Sequence, residues 1–494
     1  MFLKISLSLI SGVLIFLSFP KWNLGFLGWI ALVPIFYATQ KCTNFKQIFK
    51  YCFLTGLTAF AGILYWIIPT FQAAEVSIFI GLLCLISLSS YIALYYAFFG
   101  LFYFYIQKKF SKNHILISAA FWVALEFLRN YLFTGFSWGL LGYSQWKYPM
   151  LIQMAQWTGI YGVSGMLILS NLILVEIIKT KKIQKRSTLI LFIAIIASFY
   201  LYQKPLVVEN KISIAILQGN IDQYKKWSEE YVQEILNSYA DLNKKISAEK
   251  NFTHPHLVIW PETAVPGWIP QDKNLMRWIQ TTLHQTQTYH LIGAATQAES
   301  KNYNSAFLFD SFGKISGRYD KIHLVPFGEF VPFKNLLEQW IPVLNQLGGF
   351  DSGNGLEPLN INPSSINIKI GINICYEAIF PERIRLQVKN GADFLVNMTN
   401  DGWYLDTAAP EQHFAMNVFR AVENRRSLAR AANTGISAII APNGQIQNRT
   451  KLNEKNLLQA EIIICKNKTF YTQFGDIFAW SCILTILWIL LCGR

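Results

Sequence analysis

Residues 366–377 read INIKIGINICYE, in which closely spaced isoleucines lead to a cysteine, a tyrosine and a glutamate. A short run rich in β-branched residues predicts a strand, Ile366–Ile374, with Cys375 at its end. Sheets of α/β proteins carry functional residues at strand ends. Cys375 is therefore a candidate nucleophile, with the alternative that it is only a small buried apolar residue.

The same pattern recurs through residues 205–472, where short apolar runs alternate with amphipathic stretches. Such runs predict strands covered on at least one face, and their alternation with helices predicts α/β layers. The predicted strands are Ile212–Leu217, Leu257–Trp260, His290–Ala295, Ala306–Asp310, Ile366–Ile374, Phe394–Asn397, Ile436–Ala441 and Leu458–Ile464. The predicted helices are 227–249, 272–287, 378–390 and 410–432.

Two further motifs supply groups that a thiol nucleophile needs. Glu262 lies in WPET at 260–263, after a predicted strand, and Lys321 lies in YDKIHLVPFGEFVP at 319–332. A free thiol is only a few per cent thiolate at neutral pH, so it needs a base to take its proton. A carboxylate can be that base, and an ammonium group can stabilise an oxyanion. Taken singly, Glu262 would be read as a turn carboxylate and Lys321 as a solvated charge.

Apolar sequence encloses this block on both sides. The chain of 494 residues is 52% hydrophobic, its mean hydropathy is +0.29, and a membrane-spanning helix needs about 20 apolar residues. The sequence predicts a transmembrane bundle at 1–204, a catalytic domain at 205–472 and a C-terminal transmembrane helix at 473–494. The predicted spans are 5–20, 24–40, 51–72, 76–107, 114–134, 157–178, 187–203 and 476–492. The first two are short and could instead be tilted or shallow helices.

The basic residues predict the orientation of these spans. Loops after the second, fourth and sixth spans are rich in lysine, and positively charged loops lie on the cytoplasmic side. Both termini are then cytoplasmic and the catalytic block is exported. The residues are Lys41, Lys46 and Lys50; Lys108, Lys109 and Lys112; and Lys179, Lys181, Lys182, Lys185 and Arg186.

The net charge of +14 fits loops that meet anionic lipid headgroups, and the sequence has no nucleic-acid signature. No nucleic-acid partner is expected. Of the seven cysteines, only Cys375 and Cys465 fall in the exported block. That is no disulfide framework, although a single bridge between the two stays open.

The three motifs, in this order, resemble the nitrilase or carbon–nitrogen hydrolase superfamily. Together with the apolar bundle, the chain resembles its membrane-bound branch, the apolipoprotein N-acyltransferase family. The resemblance also includes Glu126-Phe-Leu-Arg129, Gly142-Tyr-Ser-Gln145 and Gln412-His413-Phe414. It implies a polytopic helical membrane bundle of about eight spans and an extracytoplasmic, nitrilase-like αββα sandwich.

The resemblance also implies the reaction. An acyl chain would pass from a phospholipid, phosphatidylethanolamine, to a Cys375 thioester and then to the α-amine of a diacylglyceryl-cysteine apolipoprotein. The enzyme would work as a monomer, without cofactor or metal, in the bacterial inner membrane, with its catalytic domain on the periplasmic side. Glu262, Lys321 and Cys375 would be the catalytic residues. Supporting or substrate-binding roles are expected for Glu329, Glu377, Tyr376, Trp227 and Asn304.

Other interpretations compete with this one. A tethered amidase or nitrilase could use the same residues on small soluble amides, and a transporter could carry a degenerate domain. The apolar segment Phe333–Phe350 is expected to be an interfacial lid or an ordinary packed helix. Trp268, Trp403 and Tyr404 would line an acyl tunnel or fill core.

Overall fold

The computed structural model describes residues 1–42, 44–110, 112–223, 225–226, 228–248, 254–330, 349–363 and 366–492. The chain forms two compact units. The first contains Met1–Pro205, Tyr404–Glu423 and Thr469–Arg494, and the second contains Leu206–Trp403 and Asn424–Lys468.

The helices and strands are numbered in chain order. The helices are α1 (Phe2–Ser18), α2 (Val33–Thr39), α3 (Phe45–Ile63), α4 (Ile67–Ala73), α5 (Ile78–Lys109), α6 (His114–Arg129), α7 (Ala155–Thr158), α8 (Ile160–Thr180), α9 (Lys185–Gln203), α10 (Val232–Ala248), α11 (Lys273–Leu283), α12 (Pro381–Lys389), α13 (Ala409–Asn424), α14 (Phe470–Phe474) and α15 (Ile477–Cys492). The strands are β1 (Asn210–Gln218), β2 (Leu257–Ile259), β3 (Tyr289–Ala298), β4 (Lys301–Phe309), β5 (Ile315–Asp320), β6 (Leu359–Ile361), β7 (Ile368–Ile374), β8 (Phe394–Thr399), β9 (Leu428–Ala432), β10 (Ala438–Ile440), β11 (Ile446–Arg449) and β12 (Asn456–Ile464).

The first unit is helical and apolar. Over the described residues, α5, α8 and α9 are long and apolar enough to cross a membrane, and α3 with α4 would make a fourth span bent by 43°. Helices α1 and α15 are apolar but shorter. In the predicted span 24–40, a 3₁₀ helix at Gly25–Trp29 precedes α2, and Gly25–Thr39 as a whole is apolar but shorter than a full span. The prediction of eight spans is not tested by these lengths and stays a prediction.

Small residues bring α3 and α5 together in this unit. A Cβ atom on Gly56 of α3 would lie only 2.8 Å from the Cα of Ala93 on α5. Apolar helices in lipid associate by close van der Waals packing, which small residues permit. The absent side chain at Gly56 therefore lets the two backbones approach.

Glu126 and Arg129 of α6 both bind an irregular stretch of backbone. The Glu126 Oε1 accepts a hydrogen bond from the Leu141 N–H at 2.8 Å, and the Arg129 Nη2 donates to the Trp138 carbonyl at 3.2 Å. Backbone groups outside helices need partners where water is excluded. Glu126 and Arg129 therefore stabilise the backbone of the first unit.

The second unit contains two six-stranded sheets with the orders β12-β1-β2-β3-β4-β5 and β11-β10-β9-β8-β7-β6. They face each other across one buried apolar cluster, to which β1 contributes Ile214 and Ile216 and β7 contributes Ile372 and Ile374. Helices α10 and α11 cover the other face of the first sheet, and α12 packs on β7. The expected nitrilase-like αββα layering is confirmed.

All eight predicted strands correspond to observed strands, but β5, β6, β9 and β11 were not predicted. The predicted helix 410–432 was wrong at its end, since α13 stops at Asn424 and Leu428–Ala432 forms β9. The sequence LARAA has good helix formers, but every residue of β9 is buried between β8 and β10. Tertiary burial therefore overrides local propensity.

The topology brings the candidate residues to shared sheet edges. Strands β1, β2 and β3 run parallel, and β5 runs in the direction of β3 because each is antiparallel to β4. The chain after β2 and the chain after β5 thus leave the first sheet at the same edge. In the second sheet, β7, β8 and β9 are parallel, so residues that follow β7 and β8 also share an edge.

Candidate active site

Glu262 lies in a tight turn after β2 and is 6% exposed. The turn is pressed against β3 at Gly293, where an added Cβ atom would lie 2.7 Å from the Cα of Glu262. Thr263 has a φ of 43°, which is rare for a β-branched residue. The surroundings therefore hold this backbone in a strained conformation, which fixes where the carboxylate points.

The Glu262 carboxylate is bound through both oxygens. Its Oε1 accepts hydrogen bonds from the Asn304 Nδ2 at 2.7 Å and the Lys321 Nζ at 3.2 Å, and its Oε2 accepts one from the Asn400 N–H at 2.8 Å. Asn304 lies on β4, Lys321 follows β5 and Asn400 follows β8. Residues from both sheets thus orient one carboxylate.

Lys321 lies between two carboxylates and is 1% exposed. Besides Glu262, its Nζ lies 2.8 Å from the Glu329 carboxylate. Asn304 donates to the same Glu329 group at 3.0 Å. Burial alone would lower the pKa of the Lys321 ammonium group, but Glu262 and Glu329 raise it well above its ordinary value. Lys321 is therefore a permanent cation at the centre of the cluster.

Cys375 directly follows β7 and is 6% exposed. Its φ of 50° places a non-glycine residue in the left-handed region, at a cost of about 1–3 kcal/mol. Such strain clusters at functional sites, where the surrounding structure enforces it. The main chain therefore turns sharply at the thiol.

The thiol is protonated at neutral pH in this environment. Burial raises the pKa of Cys375 well above its ordinary value, and the Glu262 carboxylate raises it further, while Lys321 acts in the opposite direction. Glu262 and Lys321 thus both act electrostatically on the Cys375 thiol. Thiol chemistry here requires a base that removes the proton as the sulfur attacks.

Glu377 connects the Cys375 strand to the Lys321 loop. Its carboxylate accepts hydrogen bonds from the N–H groups of Ile322 at 2.7 Å, His323 at 3.0 Å and Ile374 at 2.7 Å. The Tyr319 hydroxyl also donates to it, at 2.9 Å. Burial raises the pKa of Glu377, and the backbone donors act against that rise. Glu377 therefore fastens two candidate catalytic segments to each other.

We expect Glu377→Gln to lower the free energy of unfolding by about 1–3 kcal/mol, because its amide NH₂ would face a donor and leave a buried group unsatisfied. Acyl transfer should also fall, since the Lys321 loop and the Cys375 strand lose their connection. Urea denaturation and activity measure the two effects. Glu382→Gln, on the exposed side of α12, is the control. An unchanged denaturation midpoint in Glu377→Gln would contradict this role.

The remaining predicted residues have different surroundings. Tyr376 packs in an aromatic cluster, with its ring 5.8 Å from that of His323 and 5.4 Å from that of Phe380. Burial lowers the pKa of His323 to about 3, which makes its neutral ring a weak proton acceptor. Trp227 and nearly all of the expected arm Phe333–Phe350 lie outside the described residues.

The aromatic residues expected at an acyl tunnel divide between the two units. In the second unit, Trp268 is 38% and Trp403 is 45% exposed, so neither is simply core. Tyr404 belongs to the first unit, where its ring packs 5.1 Å from that of Trp66. Within the described chain, no disulfide joins Cys375 to Cys465.

The sequence interpretation missed residues that lie on β8 or directly after it. The Asn400 N–H binds Glu262, and the Asn397 side chain donates to the Asn373 Oδ1 at 2.6 Å, beneath the Cys375 turn. Asp401 forms a fully buried ion pair with Arg430 at 2.7 Å. The sequence could have indicated them, because they lie on or directly after the predicted strand Phe394–Asn397. This strand is parallel to the one before Cys375, so residues at the ends of both strands meet.

Comparisons with known proteins cover nearly the whole chain. Residues 11–173 match the family model of the apolipoprotein N-acyltransferase N-terminal domain, and residues 213–464 match that of carbon–nitrogen hydrolases. A protein of Geobacter metallireducens named apolipoprotein N-acyltransferase is 36% identical, over 97% of this chain and 92% of its own. A protein of the same name from Wigglesworthia glossinidia brevipalpis is 31% identical, over 96% of this chain and 95% of its own. Another, from Haemophilus ducreyi, is 30% identical, over 95% of this chain and 92% of its own. Among solved structures, an amidase from Nesterenkonia sp. AN1 aligns with a TM-score of 0.40 and 18% identity, over 55% of this chain and 98% of the amidase.

Proposed function

Because the chain belongs to the apolipoprotein N-acyltransferase family, we propose that it acylates lipoproteins through a thioester on Cys375. The protein is an acyltransferase with a lipoprotein acceptor and a lipid donor, and its apolar helices fit a membrane enzyme. The proposal adds phosphatidylethanolamine as the donor. It also adds the N-terminal α-amine of a diacylglyceryl-cysteine as the acceptor.

In the first half of the reaction, the Cys375 sulfur attacks the ester carbonyl of the phospholipid. The Glu262 carboxylate takes the thiol proton, the sulfur–carbon bond forms, and the carbonyl oxygen becomes an oxyanion. The ester carbon–oxygen bond then breaks, and Glu262 returns the proton to the leaving lysophospholipid oxygen. The product is an acyl thioester on Cys375.

In the second half, the α-amine of the lipoprotein attacks the thioester carbonyl. Glu262 accepts a proton from the attacking amine, the carbon–nitrogen bond forms, and the carbon–sulfur bond breaks. The proton passes to the departing Cys375 sulfur, which restores the starting enzyme. Water would compete with the amine, so a site that excludes water favours transfer over hydrolysis.

Lys321 is assigned to stabilising the oxyanion in both halves. An ammonium group has three N–H donors, and two of them serve the Glu262 and Glu329 carboxylates. The third can face the developing negative charge. One preorganised donor of this kind is worth about 2.7–4 kcal/mol of transition-state stabilisation.

The remaining features of the proposal come from the sequence. From the lysine-rich loops we infer about eight spans, with both termini in the cytoplasm and the catalytic domain on the periplasmic side of the inner membrane. The enzyme is proposed to act as a monomer without a cofactor. The domain limits 1–204, 205–472 and 473–494 belong to the same proposal.

The observation that carries the proposal is the contact of buried Lys321 with both Glu262 and Glu329, together with the strained backbone of Cys375, whose pKa both Glu262 and Lys321 affect. The experiment is to incubate the purified protein with phosphatidylethanolamine alone and to measure its intact mass. We expect a fatty-acyl adduct that hydroxylamine removes and that peptide mapping assigns to Cys375, with Cys465 of the same unit unmodified. An unmodified protein that instead releases ammonia from small amides would favour a tethered amidase.

A further inference from the structure

Lys226 is a buried lysine beside the candidate base. It is 1% exposed and lies between β1 and α10. Its Nζ donates to the backbone carbonyl of Glu262 at 3.1 Å and to the hydroxyl of Thr263 at 2.7 Å. Lys226 thus binds the strained turn on its backbone side, while Asn304, Lys321 and Asn400 bind the carboxylate.

Burying an ammonium group against uncharged acceptors is costly. Burial lowers the pKa of Lys226 to about 7, and the Glu262 carboxylate acts against this fall. A methionine, whose side chain is one heavy atom shorter, would fill most of this space without burying a charge. The two hydrogen bonds to the turn therefore explain why a lysine stands at this position, since methionine has no N–H donor.

A second chain of hydrogen bonds joins the same segment to the same carboxylate. The Asn400 side chain donates to Gln223, and the Asn400 N–H donates to Glu262. Asn433 fixes the beginning of the segment by donating to the Ile221 carbonyl at 2.7 Å. Gln223 and Lys226 are thus each connected to Glu262, Gln223 through Asn400 and Lys226 through the turn.

We propose that Lys226 is a positioning residue for acyl transfer, whose buried side chain holds the Pro261–Thr263 turn so that the Glu262 carboxylate faces Lys321 and Cys375. The inference rests on the proposed function, because it concerns the base of that reaction. Lys226 is not assigned to catalysis itself, since both of its contacts are to the turn and not to a reacting group.

Lys226→Met tests the proposal in the full-length protein, with Lys225→Met as the matched control. Lys225 is the neighbouring exposed lysine and lies over the Tyr231 ring. The first measurement is alkylation of Cys375 by iodoacetamide, which needs no lipid. The second is the rate of acyl-adduct formation as a function of phosphatidylethanolamine concentration. Thermal unfolding of each variant is measured in parallel.

We expect Lys226→Met to remain folded with little change in its unfolding temperature, because removing the costly buried ammonium group offsets the loss of its two hydrogen bonds to the turn. The alkylation rate and the maximal adduct rate should both fall between about 10-fold and 100-fold, as for a small displacement of a catalytic group. The lipid concentration at half-maximal rate should not change. Lys225→Met should match the wild type in every measurement.

Alkylation within twofold of wild type in a folded Lys226→Met protein would overturn the inference. If Lys226→Met does not fold, Thr263→Val is used instead, because it removes one of the two groups that accept a hydrogen bond from Lys226. Slower alkylation of Cys375 in Thr263→Val would support the positioning role, and an unchanged rate would refute it. The experiments distinguish a failure of the proposed function from a failure of the proposed role of Lys226. A wild-type protein that forms no lipid adduct refutes the donor chemistry, while the alkylation comparison still decides the role of Lys226.

Discussion

Replacing Cys375 with alanine is expected to abolish the acyl adduct and to reduce lipoprotein acylation by at least about 10⁴-fold, because the reaction loses its nucleophile. The fold should survive. Cys375 contributes one small buried side chain to the cluster between the sheets, and a change of this size usually costs about 1 kcal/mol or less. The turn at residue 375 is held by Glu377 through the Ile374 N–H, and that bond is unaffected.

The measurement is transfer of a labelled acyl chain to a diacylglyceryl-cysteine peptide, together with intact mass after exposure to lipid. Cys465→Ala is the matched control, because Cys465 is also a buried thiol in the second unit. It should keep wild-type transfer. Transfer by Cys375→Ala at more than a small percentage of the wild-type rate would mean that the thioester is not on the reaction path.

Glu262→Gln is expected to slow adduct formation by about 10²–10⁴-fold, the usual contribution of a general base. The reason is the protonated state of the buried Cys375 thiol, whose raised pKa leaves almost no thiolate at neutral pH. The glutamine keeps one oxygen acceptor, but its NH₂ must face one of the donors Asn304, Lys321 or Asn400. A loss of about 1–3 kcal/mol in the free energy of unfolding should accompany the change.

Glu329→Gln provides the comparison for this variant. It removes the other carboxylate that binds both Lys321 and Asn304, so it perturbs the same buried cluster without removing the assigned base. We expect a smaller loss of rate than in Glu262→Gln at a similar cost in stability. Equal adduct rates in Glu262→Gln and the wild type would show that another group deprotonates Cys375.

The sequence was sufficient to predict the parts of the site that depend on local pattern. Cys375 could be placed at the end of a strand because the isoleucines before it are closely spaced. Glu262 and Lys321 could be placed because their motifs accompany it. Strand β5 could not be predicted, since its sequence ISGRYD has a glycine and three polar or charged residues and only its pairing with β4 makes it a strand.

The contacts that arrange the site could not be predicted, because they join residues that are distant in the chain. Asn400 lies 138 positions from Glu262, and Glu377 lies 55 positions from Ile322. Lys226 reads in the sequence as one more lysine in a polar loop, and only the packing of that loop against the turn shows that it is buried. Local sequence motifs thus identify the reactive side chains, and the topology of the two sheets determines which of these side chains come into contact.

Sharing one ammonium group between two carboxylates has a consequence for the energetics of turnover. With both carboxylates ionised and the thiol neutral, the cluster of Lys321, Glu262, Glu329 and Cys375 bears one excess negative charge. Passing the proton from sulfur to Glu262 and then to the departing oxygen moves that charge without changing the total over the cluster and the bound substrate. Because the total charge is constant, only its position changes, and it moves among groups that already have fixed hydrogen-bond donors. Such a site can carry out two successive substitutions without having to accommodate an additional ion.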